Sequence, residues 1–113
     1  MHIDEKVSGD VAVIMVRGDI TLNQGGDVLL KDKVQSLLQQ GQRKLVLDLG
    51  EVSYVDSAGL GQLVQIHATT KSHGGSLRLA NVTKRLKDLL VVTKLVTVFD
   101  TYDSQEAARA SFA

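Results

Sequence analysis

Asp56 and Ser57, followed by Ala58, Gly59, Leu60 and Gly61, are the residues of this chain whose types and spacing best suit chemistry. They lie between the apolar run Leu45 to Leu49 and the residues Leu60, Leu63, Val64 and His67, which recur at helical spacing. The periodicity therefore predicts Ser57 where a buried strand gives way to a helix. A serine there sits among backbone N–H groups that have no partner inside the helix, in a positive end-field that suits an anion such as phosphate.

Three roles are open to it: nucleophile, cap, or acceptor of a modifying group. The nucleophile elbow requires G-x-S-x-G, and Val55 occupies the first glycine position although Gly59 satisfies the second. A triad also needs a base. His2 belongs to the first predicted strand, His67 to an apolar helical stripe and His73 to that helix's end, so none is aimed at Ser57. His67 reads instead as a half-buried core residue with a hydrogen-bond partner. Capping is what Asp and Ser most often do at such positions. Gly59 and Gly61 in the first helical turns cost roughly 0.5 to 1 kcal/mol each relative to alanine. Either close packing against the sheet or approach by another molecule must keep them.

Other chemistry finds little support. Asp48, Glu51 and Asp56 are spread along a strand and its loop without histidine company, which argues against a metal site. Neither of the glycine-rich phosphate loops, G-x-G-x-x-G or G-x-x-x-x-G-K-[ST], occurs, so no nucleotide cofactor is expected. Lys84, Arg85 and Lys87 share a predicted helix whose Leu86 and Leu89 face the core, and they read as a solvated face rather than a docking patch.

The elements that position Ser57 follow from the apolar periods and the glycines, since proline is absent. His2 to Val7 and Val11 to Arg17 are β-prone runs joined by Ser8, Gly9 and Asp10, which predicts a hairpin with a central second strand. Gly18 to Gly26 is a loop by composition. From Asp27, Leu30, Val34, Leu37 and Leu38 define a helix that Gly41 closes. Strand three starts at Leu45, and the helix from Ser57 runs to about Ser72. Leu77 to Ala80 is a short strand, and Thr83 caps a helix striped by Leu86, Leu89, Leu90 and Val92. Val96 to Asp100 reads as a last strand. Asp103 and Glu106 resemble a capping box for a final helix carrying Ala107, Ala108 and Phe112. The order ββαβαβαβα predicts an α/β fold, with a mostly parallel sheet, right-handed crossovers and an antiparallel edge from the opening hairpin.

Bulk properties narrow the function. A chain of 113 residues with 43% hydrophobic content is expected to form one domain over residues 1–113. Thirteen basic residues balance thirteen acidic ones, so the concentrated positive footprint of a nucleic-acid binder is missing. Without cysteine there are no disulfides and no thiol chemistry, and MHIDEK lacks an apolar secretion signal, so the cytoplasm is the expected address. No apolar run approaches the roughly 20 residues that span a bilayer, so any membrane attachment comes through a partner.

The run VLDLGEVSYVDSAGLGQLV resembles the signature of the STAS domain, in particular that of the bacterial anti-sigma factor antagonists, whose D-S-[SA]-G-L-G serine a kinase phosphorylates. Gly18-Asp19-Ile20 is similar to the family's G-[DE]-[ILV] after its second strand. The stretch GGSLRLANVTKRLKDLLVVTKLVTVFDTYDSQEAARASF resembles its C-terminal half, including the Y-D-S-x-E-x-A ending. Thr21 stands where members often carry an acid, and Lys94 where glycine is common.

This resemblance implies a STAS-type sheet of about five strands with about four helices. It implies an unphosphorylated protein that binds an anti-sigma factor serine kinase and so frees a sigma factor. Ser57 becomes the switch, Asp56 orients its hydroxyl or caps the helix, and Asp19, Thr21, Asn23, Ala58, Gly59 and Gly61 join them in the partner-binding surface. The protein itself is then no enzyme and needs no cofactor, because ATP belongs to the kinase. The same fold also admits a scaffold subunit of a stress-sensing assembly or an accessory part of a lipid or anion transport system. A chain that begins at Met1 and stops beyond a capped helix favours the free-standing regulator. Neither reading fixes whether the protein is a monomer or a weak dimer.

Overall fold

Alternation with period two builds the sheet. In β2 (Val11–Ile20), Ala12, Ile14 and Val16 point to one face while Val11, Val13 and Met15 point to the other. In β3 (Lys44–Val55), Leu45, Leu47 and Leu49 share the first face and Val46 the second. The computed structural model describes residues 2–21 and 26–112 of the protein. Its five-stranded sheet has the order β1-β2-β3-β4-β5, with β1 (His2–Ser8) antiparallel to β2 and the other pairs parallel. This is the expected mixed α/β architecture.

Strands that advance one place at a time through crossovers of one hand put each connecting helix on the same face. Accordingly α1 (Gly26–Gln39), α2 (Ser57–Ser72) and α3 (Lys84–Val92) cover the face of Ala12 and Leu45, contributing Leu30, Val34, Leu63, Ile66, Leu86 and Leu90 to the main core. The opposite face receives α4 (Gln105–Ala110), whose Ala108 meets Val11, Val13, Val46 and Ala80. Between them lie β4 (Ser76–Ala80) and β5 (Asp100–Tyr102).

Four local expectations are corrected. First, Gly18 to Ile20 belongs to β2 rather than a loop, because β3 also runs past Leu49 to Val55 and offers Val52 and Val55 as partners for Gly18 and Ile20. Second, the last strand is Asp100–Tyr102 instead of Val96 to Asp100: the amides of Leu95 and Val96 turn back to the Leu90 carbonyl at 2.8 and 3.1 Å, which leaves Phe99 to enter the core. Third, Val92 is 79% exposed, since α3 buries only the narrow stripe of Leu86 and Leu90. Fourth, Ser104 caps α4, its hydroxyl accepting the Ala107 N–H at 3.0 Å. With Ser104 as cap, the third helical residue is Ala107, so Asp103 and Glu106 do not form a box. Thr83 caps α3 as expected, accepting the Leu86 N–H at 3.3 Å.

Beyond α3 the backbone of Lys94 takes the left-handed conformation, with φ 63°. Its N–H donates to the Val91 carbonyl at 3.1 Å, which satisfies one of the helix's last acceptors. A side chain in that conformation costs about 1 kcal/mol that glycine avoids. Lys94→Gly is therefore expected to stabilise the protein by about 0.5 to 1 kcal/mol and to raise the melting temperature by about 3 °C, as read by circular dichroism.

Candidate functional site

Ser57 stands at the first position of α2, held from both sides by backbone contacts. Before it, the Asp56 N–H donates to the Ile20 carbonyl at 3.3 Å, tying the end of β3 to the end of β2. Asp56 is extended, with φ −86° and ψ 179°, and is the N-cap: its Oδ1 accepts the Gly59 N–H at 2.7 Å, and its carbonyl accepts the Leu60 N–H at 2.8 Å. Of the two cap candidates, Asp56 takes the position.

After Ser57, Gly59 is pressed against the same Ile20 carbonyl. A Cβ built at Gly59 would lie 2.0 Å from that oxygen, so only a hydrogen fits. At Gly61, by contrast, a Cβ would meet nothing within 4 Å. The two glycines therefore answer different requirements. Close packing accounts for Gly59, and the surface around Gly61 is open.

The anchored turn leaves Ser57 and Ala58 exposed. The Ser57 hydroxyl makes no hydrogen bond with the described residues. It is thus an exposed nucleophilic oxygen at the positive end of a helix, where added negative charge is compatible with the fold. Asp19 is half-buried near the end of β2, and Thr21 is buried, only 8% exposed, so its side chain does not reach the surface. Asn23 lies outside the described residues. The expected partner surface thus divides. Ser57, Ala58 and Gly61 are exposed, Asp19 and Asp56 half-buried, and Thr21 and Gly59 buried.

Beside Ser57 runs an apolar groove of about 700 Å³ that the sequence did not disclose. Val52 and Tyr54 from the end of β3, Leu60 and Val64 from α2, and Leu89 and Val92 from α3 line it. Tyr54 is 50% exposed. The alternation in Val52-Ser53-Tyr54-Val55 was a faint signal that the strand continued toward such a surface. Lys84, Arg85 and Lys87 are exposed, as expected of a solvated face, and Arg85 also borders the groove.

No histidine lines this groove. His67 is ten residues further along α2, about 15 Å by helical rise, and so does not serve Ser57 as a base. Its ring meets Phe99 edge to face, with centroids 5.3 Å apart. The expected hydrogen-bond partner is not there: Nδ1 is buried and bonds to none of the described residues, because the neighbouring ring offers an apolar surface. Burial, reinforced by Lys71 and partly opposed by Asp100, holds the His67 pKa below its ordinary value. The unfolded chain then takes up a proton more readily than the folded one. His67 contributes stability that is complete above about pH 6.5 and is lost as the pH falls toward the lowered folded value. Urea midpoints are expected to fall between pH 7.5 and 5.5, and His67→Leu is expected to flatten that slope.

Similarity to known proteins follows the same geometry. The sequence model of the STAS domain matches residues 2–108. The anti-sigma-B factor antagonist of Bacillus subtilis is 36% identical over 97 residues, covering 80% of this chain and 88% of that protein. A crystal structure of a candidate anti-sigma factor antagonist from Thermotoga maritima superposes with a TM-score of 0.87 at 26% identity, covering 96% of this chain and 92% of the other. The Bacillus cell fate determinant SpoIIAA in its phosphorylated form shares the fold, with a TM-score of 0.73 at 16% identity and coverage of 97% and 99%.

Proposed function

The chain belongs to the STAS domain family, and from that premise we propose that it is an anti-sigma factor antagonist whose affinity for its partner is set by phosphorylation of Ser57. Unphosphorylated, it binds an anti-sigma factor that is also a serine kinase, and the sigma factor held by that kinase is released. Phosphorylation ends the association. The γ-phosphoryl group of ATP passes to Ser57 Oγ, ADP leaves, and the hydroxyl proton goes to a base of the kinase.

The observation that carries this reading is the Ser57 hydroxyl itself, exposed and free of hydrogen bonds to the described residues on a turn that Asp56 and Gly59 hold in place. An acceptor serine needs access and a fixed position more than it needs a catalytic neighbour. Phosphate adds about 1.5 to 2 negative charges and three acceptor oxygens. At this helix end the charge disturbs an interface and leaves the fold in place. Ala58, Gly61 and the rim of the groove form the surface around it, and Asp19 is assigned to the partner contact by the family resemblance.

In this reading the chain is a single STAS domain that acts in the cytoplasm as substrate and ligand and carries out no catalysis of its own. Among the described residues no helix is long and apolar enough to cross a membrane. Incubation with ATP and candidate serine kinases encoded beside its gene, followed by mass spectrometry, is expected to locate one phosphate on Ser57. Modification at another residue, or none by a kinase that binds the protein, would overturn the proposal.

A further inference from the structure

The groove beside Ser57 has two helical walls. On α2 the wall is the stripe Ser57, Leu60, Gly61 and Val64, and on α3 it is Arg85, Asp88, Leu89 and Val92, both at the spacing of one helix face. The helices follow the parallel strands β3 and β4, whose pairing ends at Asp48 and Ala80; β3 continues to Val55 before α2 begins, and the groove is the surface that Ser57 and Arg85 share. Ser57 heads one stripe and Arg85 heads the other.

Resting on the reading of Ser57 as a phosphorylated switch, we infer that Arg85 is the intramolecular partner of the phosphate, closing an ion pair across the mouth of the groove. Arg85 is exposed and makes no hydrogen bond or ion pair with the described residues. The other charged groups that line the groove are Asp56 and Asp88. Asp56 is engaged as the cap of α2, and Asp88 sits one turn further along α3 than Arg85. Lys84 and Lys87, also on α3, do not line the groove. Arg85 is therefore the cation that shares this surface with the modified oxygen.

The chemistry fits. A guanidinium presents five N–H donors in a planar fork that matches two phosphate oxygens at once, and the pair is stronger than one between neutral groups. Before modification the same fork is available to an acidic group of the binding partner. Phosphorylation then does more than add repulsive charge: it withdraws the groove's cation from the interface.

The test uses the full chain with phosphoserine installed at position 57 during translation, so that no kinase is required. The second ionisation of the phosphate is followed by ³¹P NMR in the parent protein and in Arg85→Gln and Arg85→Lys. A nearby cation favours the dianion, so its midpoint is expected to lie roughly half a unit higher in Arg85→Gln than in the parent, with Arg85→Lys between them. Thermal melts confirm that the exposed substitutions leave the fold intact. Coincident titration curves for the parent and Arg85→Gln would overturn the pairing. Because no binding partner takes part, that result would leave the Ser57 switch standing, whereas failure of a kinase to modify Ser57 would remove the switch without touching this titration.

Discussion

Under the proposed switch, Ser57→Asp is expected to bind an anti-sigma factor kinase roughly thirty-fold to several thousand-fold more weakly than the unmodified protein, while Ser57→Ala is expected to bind at full strength whether or not ATP is present. The difference arises at the interface. Ser57 and Ala58 are exposed at the start of α2, so a partner that covers them takes the position-57 side chain out of water. A charge that the partner must take out of water at a site fitted to a neutral serine costs about 2 to 5 kcal/mol, which corresponds to the stated range of affinity. The fold should not suffer, because an acidic residue in the first turn of a helix is favourable or neutral. Isothermal titration of both variants against the kinase, with thermal melts alongside, separates the two effects. Equal affinities for Ser57→Asp and Ser57→Ala would sink the switch, whatever their stabilities.

Gly59→Ala is expected to destabilise the protein by about 3 kcal/mol, the upper end of overpacking in a closed site, and to lower its melting temperature by about 10 °C. The added methyl would stand 2.0 Å from the Ile20 carbonyl oxygen, 2.9 Å from its carbon and 3.0 Å from Ile20 Cγ2. Two of those atoms are backbone, so relief requires α2 to lift from the end of β2, and that movement pulls on the Asp56 N–H bond to the same carbonyl. Gly61→Ala is the natural control. With open space at its Cβ position it should gain helix propensity, stabilising by about 0.8 kcal/mol. Melting curves that ranked these two alanine variants equally would refute the account of Gly59. The pair also bears on the site, since Gly61 is exposed beside Ser57: Gly61→Ala with unimpaired folding but weakened partner binding would place Gly61 within the contact surface.

Much of the architecture was legible because it is periodic. The two-residue alternation of β2 and β3, the hairpin turn at Ser8 to Asp10 and the helical spacing of Leu60, Leu63, Val64 and His67 each depend on neighbours close in sequence. The features misread from sequence depend on pairing instead. Gly18-Asp19-Ile20 looks like a loop until β3 is seen to continue to Val55 and supply the missing ladder. Val96 to Asp100 looks like a strand by composition, yet β4 pairs with Asp100–Tyr102, and the apolar residues before it close α3 and fill the core. Asp103 and Ser104 are both good caps, and only the direction in which the chain leaves β5 gives the role to Ser104.

The same division runs through the site. The chain alone determined that a serine stands where a buried strand passes into a helix, within the Asp-Ser-Ala-Gly-Leu-Gly stretch, because strand and helix periods and a short motif are properties of contiguous residues. Tertiary structure decided what each residue around that serine does. It made Asp56 the cap, set Gly59 against Ile20 while leaving Gly61 open, and buried Thr21. It also brought Arg85 of α3 to the groove that Ser57 borders. Those outcomes turn on distances between atoms far apart along the chain, and only the packing of α2 and α3 on the sheet determines them.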